Sequence, residues 1–355
     1  MSKKTKVLIT YQLKTSLEKN NSGGISKCLN NCINALKKRN LETFLISNNI
    51  KKNIYEPIPK LSLYRFIFLV FSNFIKSKKN ESHTLLVYGC ASIWPFIAIL
   101  MGLIAGMKVF FHPSFHDPNY VVHKNKALLA KIIISLLSKL PFKKLKIICQ
   151  TNHEYKLLRI SEKRRLKAIS VDFQDTLIEG EKTYKDFDSF KQRKNLICYV
   201  GRATKQKGWH EFTNIINKIP PSKNIVIITG KKYSDKLLSL KNKYKNLDIR
   251  HEISDNELYR IMKNTKIMFL ASDYESLGIA HIEATLLGCY VPLIGRYPFW
   301  DEIKIDAKNE LKLLNNFIND DGNYDEIIKN KTIKFEYILN KNLPFLFENF
   351  INKLI

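Results

Sequence analysis

The chain has 355 residues, enough for two or three domains and for a core that needs no disulfide or metal to hold it. Its 45% hydrophobic and 11% aromatic content excludes a disordered or fibrous chain, and 13 glycines with 11 prolines exclude a collagen-like one. The 59 Lys and Arg against 32 Asp and Glu leave a net charge of +27, which points to an anionic partner (nucleic acid, a membrane surface or a phosphorylated substrate) or to a composition rich in Lys, Asn and Ile.

Met1 to Thr10 is basic, but its apolar run is three residues long, too short for a secretory leader. It predicts a strand over Lys6–Tyr11. Gly23 and Gly24 follow, with a helix over Gly24–Arg39, a strand over Glu42–Ile46 and a helix over Leu61–Ile75. Thr84 to Met107 carries no charged residue and is long enough to weigh as a membrane span. Gly89, Ser92, Pro95 and Gly106 instead divide it into a strand (Thr84–Tyr88) and a helix (Ser92–Ala105) capped by Ser92, before a strand over Lys108–His112. A helix over His123–Lys139, a strand over Lys146–Thr151, a helix over Asn152–Ile160 and a strand over Lys167–Val171 complete the first half.

Asp172 to Lys194 is polar and charged and marks an interdomain connection. Beyond it, strands are predicted over Asn195–Val200, Ile225–Thr229, Leu247–His251, Lys266–Ala271 and Tyr290–Ile294. Helices fall between them over Trp209–Lys218, Ser234–Tyr244, Asp255–Met262 and Leu277–Leu287, and the tail from Asn315 to Ile355 is helical. Strands rich in Val, Ile and Leu without alternation are buried on both faces, as in parallel sheets covered by helices. The expected fold is therefore α/β, with two Rossmann-like, doubly wound parallel-sheet domains facing a cleft. The first spans residues 1–180 and the second 181–334, with a last helix over about 335–355 packing back on the first.

The six cysteines form no Cys-x-x-Cys pair and no zinc-spaced cluster. Several lie in apolar runs, which fits a reduced, cytoplasmic protein.

In such sheets ligands bind at the carboxyl ends of the strands, so the loops there carry the chemistry. After Val200 comes Gly201-Arg-Ala-Thr-Lys-Gln-Lys-Gly208. Arg202 offers a planar fork of donors and Lys207 a mobile point charge, a set suited to a diphosphate or simply to a basic surface. The spacing is not that of a P-loop. After Ala271 comes Ser272-Asp-Tyr-Glu275-Ser276-Leu277-Gly278-Ile-Ala-His-Ile-Glu283. Glu275 and Glu283 lie just over two helical turns apart, so both can share one face. Carboxylates accept well from sugar hydroxyls. Glu283 sits among apolar neighbours, so once buried it would demand a partner. In the first half, Gly23 and Gly24 let backbone approach a ligand, and His112 with His116 and Asp117 groups donors at a strand end.

Together these motifs resemble the family 4 glycosyltransferases, retaining enzymes of the two-domain glycosyltransferase B fold. Gly201-Arg202 with Lys207-Gly208 is similar to that family's Gly-Arg…Lys-Gly loop, Glu275 and Glu283 to its E-x(7)-E motif, and Glu283-Ala-Thr-Leu-Leu-Gly288 to the run that follows. Gly23-Gly24 resembles its N-terminal glycine loop, and Phe111-His112 its strand-end histidine. The segment from Gly295 to Glu302 departs from the family's Gly-Gly-x-x-Glu. The resemblance implies that Arg202 and Lys207 hold the donor diphosphate, Glu275 the donor sugar and Glu283 the ribose. The amides of Ser276, Leu277 and Gly278 would assist, with His112 near the sugar and Gly23 and Gly24 near the diphosphate. It implies a nucleotide-sugar co-substrate, no metal and no other cofactor.

The function expected is transfer of a sugar, with retention, onto a surface-glycan acceptor linked to lipid. The protein would be cytoplasmic and peripheral on the inner face of the membrane. Two basic amphipathic stretches, Leu61–Lys79 and Lys124–Lys146, either contact an anionic membrane surface or pack in the core. A nucleic-acid-binding protein and a non-catalytic sugar-binding relic are the rival classes. No helix-turn-helix, zinc-finger or RNA-recognition pattern supports the first, and the intact Arg202, Lys207, Glu275 and Glu283 set argues against the second.

Overall fold

A computed structural model describes residues 4–11, 24–46, 60–61, 81–90, 93–115, 117–121, 123–169, 171–173, 176, 192–230, 237–251, 253–303, 309–319 and 325–354. The chain forms two compact units, Met1–Asp172 with Phe345–Ile355, and Phe173–Pro344.

The first unit is built on a seven-stranded sheet of β1 (Lys4–Tyr11), β2 (Glu42–Ile46), β3 (Lys60–Leu61), β4 (Glu81–Tyr88), β5 (Lys108–His112), β6 (Leu145–Cys149) and β7 (Arg165–Lys167). The spatial order is β3-β2-β1-β4-β5-β6-β7, and every pairing is parallel. Alternate residues of one strand serve opposite faces. Leu8, Leu85, Val87, Val109 and Phe111 meet Phe96 and Ile99 of α2 (Trp94–Ile104) and Ala130 and Ile134 of α3 (Lys124–Lys139) in one core. Helix α1 (Gly24–Lys38) buries Cys28, Leu29, Cys32, Ile33 and Leu36, a helical spacing. Helix α4 (Asn152–Leu158) opens with a reciprocal cap. Thr151 Oγ1 accepts from Glu154 N at 3.0 Å, and the buried Glu154 carboxylate accepts from Gln150 N at 2.8 Å.

The second unit is built on four parallel strands in the order β10-β9-β8-β11: β8 (Asn195–Val200), β9 (Ile225–Ile228), β10 (Leu247–Arg250) and β11 (Thr265–Phe269). Around them lie α5 (Trp209–Ile216), α6 (Leu238–Lys243), α7 (Asp255–Lys263), α8 (Ile279–Leu286), α9 (Pro298–Glu302) and α10 (Glu310–Asn319). The last helix, α11 (Asp325–Leu354), begins in the second unit and ends in the first. In the first unit Arg39 bonds Asn352 Oδ1 at 2.7 Å and Glu348 Oε2 at 2.6 Å, and Thr84 Oγ1 donates to the Leu354 carbonyl at 3.2 Å.

Most expected elements appear within a few residues, and three expectations need correction. Tyr290–Ile294 is not a strand: a single bridge joins Tyr290 to Ile267, and Pro292 has no N–H to extend it. The strand expected over Lys167–Val171 lies earlier, at Arg165–Lys167, paired on one side only to β6. The helix expected from Leu61 instead begins with the strand residue Leu61, and the rest of it lies outside the described residues. Ser92 also lies outside them, and the residue before α2 is Ile93, which makes no side-chain cap. No helix among the described residues is long and apolar enough to cross a membrane.

Candidate functional site

In the second unit the motif loops leave the carboxyl ends of β8 and β11, which are neighbours in the sheet. They are joined backbone to backbone. Asp273 N donates to the Gln206 carbonyl at 3.1 Å. Arg296 N donates to the Asp273 carbonyl at 3.2 Å and Glu275 N to the Arg296 carbonyl at 3.1 Å, so the segment after Gly295 is stitched to the same pair. Tyr199, buried in β8, sends its hydroxyl beneath the first loop to the carbonyls of Arg202 (2.7 Å) and Lys207 (3.1 Å).

This stitching brings Lys207 and Glu275, 68 residues apart in sequence, into an ion pair. Arg202 is exposed, with Gln206 Oε1 at 3.3 Å from its guanidinium. The Ser276 hydroxyl is buried and has no hydrogen-bond partner among the described residues, and the same holds for Thr204 Oγ1 in the first loop and Thr229 Oγ1 just after β9. A buried hydroxyl without a partner is uncommon in a folded protein. Three at neighbouring strand ends form a set that an oxygen-rich ligand would complete.

Leu277 is buried and Gly278, at φ +73°, precedes α8. Glu283 lies inside α8, 4% exposed, and the Tyr259 hydroxyl of α7 donates to its Oε1 at 2.8 Å. The sequence shows that Glu283 needs a partner and gives no sign that Tyr259 is that partner. Tyr199 and Tyr297 were missed in the same way. Tyr297 OH donates to the Leu270 carbonyl at 2.7 Å, and burial pushes its pKa well above the usual phenol range, with Glu275 adding to the shift.

In the first unit His112 ends β5, buried, its ring stacked on Tyr88 at 5.2 Å. Its Nδ1 accepts from Ser114 N at 3.2 Å, which leaves the proton on Nε2, and Nε2 is buried with no partner among the described residues. This histidine is therefore a neutral hydrogen-bond donor rather than a general acid. Asp117 caps the turn after it, accepting from Asn119 N at 3.0 Å. Gly24 begins α1, while Gly23 and His116 lie outside the described residues. Among the described residues no group of three or more His, Cys, Asp or Glu could hold a metal ion.

His112 and His281 share one electrostatic property. His281, in α8, is 2% exposed with its Nε2 2.6 Å from the Leu270 carbonyl. Burial lowers each pKa from 6.5 to about 4. A histidine kept neutral by the fold adds stability that is complete above pH 6.5 and is lost as pH falls toward 4, because the unfolded chain binds the proton more readily. The expected loss is on the order of 3 kcal/mol per histidine at full titration. Denaturant unfolding at pH 7.5 and pH 5 reads about two thirds of it. A stability that stays flat across that range would show that both rings take up protons in the folded protein as readily as in the unfolded chain.

Comparison with known proteins places these loops. Residues 181–331 match the glycosyl transferases group 1 family. The matched segment contains both stitched loops, the Lys207–Glu275 pair and Glu283. A curated relative, described as an uncharacterized 41.2 kDa protein in the cps region of Klebsiella pneumoniae, is 29% identical over 154 residues; the match covers 42% of this chain and 41% of that protein. Among solved structures, Anabaena Alr3699/HepE in complex with UDP-glucose is similar with a TM-score of 0.66 and 13% identity, covering 98% of both chains. WaaG, a glycosyltransferase involved in lipopolysaccharide biosynthesis, is similar with a TM-score of 0.66 and 9% identity, covering 98% of this chain and 99% of its own. At such identities the likeness shows the fold, which is the glycosyltransferase B fold. The matched segment thus sits in the α/β frame that its sequence motifs imply.

Proposed function

We propose that this protein is a retaining glycosyltransferase that moves a sugar from a nucleotide-diphosphate sugar onto a lipid-linked surface glycan. One observation carries the reading: Lys207 and Glu275 are paired at adjacent strand ends beside the buried hydroxyl of Ser276, which has no partner among the described residues. In the reaction the bond from C1 of the sugar to the diphosphate oxygen breaks. A bond from C1 to the acceptor oxygen forms on the same face, and the acceptor's proton passes to the departing phosphate. Arg202 and Lys207 supply positive charge where the diphosphate gains negative charge, the role a metal ion fills in other transferases. Glu275 accepts from donor-sugar hydroxyls, and Ser276 completes its hydrogen bonding on the donor. Glu283, oriented by the Tyr259 hydroxyl, accepts from the ribose. A capsule-region relative and the similarity to a lipopolysaccharide glycosyltransferase support the acceptor class.

Thermal shift against UDP, GDP, ADP and CMP, with and without their sugars, tests the donor site. UDP and UDP-glucose come first, since structures of the similar HepE hold them. A ligand at about 100 times its dissociation constant stabilises by about 2.7 kcal/mol, or about 5–10 °C for a unit of this size. A shift from one diphosphate in the wild type and none in Lys207→Ala is expected. No shift from any nucleotide would remove the transferase reading.

A further inference from the structure

Helices α2 and α3 follow successive strands of one parallel sheet and cover the same face of it: Phe96, Ile99, Ala130, Ile134 and Leu137 belong to a single buried cluster. A helix packed on a sheet ordinarily turns a polar face to water. Neither of these does. Leu128, Leu129, Ile132 and Leu136 of α3, and Leu140 just after it, are 40–58% exposed. Trp94, Leu100 and Ile104 of α2 are 41–67% exposed, and α2 has no charged residue. At 100° per residue the exposed leucines of α3 fall on the arc opposite Ala130, Ile134 and Leu137. Helix α3 is thus apolar on both sides, and the sheet covers only one of them.

The charge around this face is one-sided. Between Glu81 and Glu154 the sequence has one carboxylate, Asp117, which is buried, and eight lysines. Of these, Lys124, Lys126, Lys139, Lys143 and Lys144 are exposed. We propose that the α2–α3 face docks on an anionic lipid bilayer, with the leucines entering the acyl boundary and the lysines meeting the headgroups. A second copy of the chain fits poorly, because it would set lysine against lysine. The two uses weighed for Lys124–Lys146, core and membrane, are then both made, one by each side of the helix. The proposal is independent of sugar transfer.

Co-sedimentation with phosphatidylcholine vesicles, with and without phosphatidylglycerol, tests it. The wild type is expected to pellet with the anionic vesicles at low salt and to be released as salt screens the lysines. Leu129→Glu/Ile132→Glu/Leu136→Glu changes only exposed positions and is expected to lower vesicle affinity at least about tenfold. Lys124→Gln/Lys139→Gln/Lys143→Gln is expected to lower it about fivefold per lysine. Circular dichroism and an unchanged nucleotide shift show that both variants are folded. The proposal is overturned if the wild type ignores anionic vesicles at low salt, or if the Glu variant binds them as well as the wild type does. It is equally overturned if the face instead drives self-association that the Glu variant abolishes.

Discussion

Lys207→Ala is expected to lower kcat about 100- to 1,000-fold, the usual effect of removing one preorganised group that faces developing negative charge. The ammonium is held in place: Tyr199 fixes the carbonyl of its own residue, and Glu275 holds its Nζ. Removing it alone takes the Lys207 charge from the Glu275 carboxylate, which is mostly shielded from water, so a loss of stability accompanies the loss of rate. The double variant Lys207→Ala/Glu275→Gln separates the two effects. It is expected to recover most of the stability and none of the turnover. Steady-state kinetics with the donor identified by thermal shift, together with denaturant unfolding, reads both. A single variant that keeps kcat within about threefold would make the pair a structural bond and assign the diphosphate to Arg202 alone.

Gly208→Ala is expected to cost about 3–5 kcal/mol of stability and to abolish donor binding with it. Gly208 has φ +66°, a left-handed conformation that costs an L-residue about 1–2 kcal/mol. A methyl group there would also lie 2.6 Å from the Ala271 carbonyl carbon and nearer still to its oxygen. The obstacle is backbone, which cannot rotate aside as a side chain would, so the two site loops must part. Gly106→Ala is the control: its φ is similar, at +69°, but its nearest neighbour is the mobile end of Lys144 at 3.7 Å. It should lose only about 1–2 kcal/mol. Equal losses in the two variants would mean that the loops can separate without strain.

The buried parallel strands were legible because each is a short Val, Ile and Leu run closed by glycine or polar residues, and Glu42–Ile46, Lys108–His112 and Asn195–Val200 fall where that pattern puts them. The pattern failed where apolar content alone suggested pairing. Tyr290–Ile294 is as apolar as its neighbours, but Pro292 stops it after one bridge, and β7 at the sheet edge has one partner and little apolar demand to set its position. In the site, Gly201, Arg202, Lys207, Glu275 and Glu283 could be picked out by residue type and spacing. What holds them could not. Tyr199, Tyr259 and Tyr297 each use a hydroxyl on a group brought near only by folding, and a tyrosine in an apolar run looks the same whether its hydroxyl is used or not.

The first unit is completed by residues far along the sequence, Phe345–Ile355. Arg39 reaches across 313 residues of sequence to Asn352, and Thr84 across 270 to Leu354. During synthesis from the N-terminus the whole sheet of the second unit leaves the ribosome before the end of α11 exists. The first unit must therefore wait, incomplete, while the second has all its strands. Emergence of residues 345–355, rather than of residue 172, is the event that lets it close. Removal of residues 345–354 should accordingly damage the first unit rather than the second.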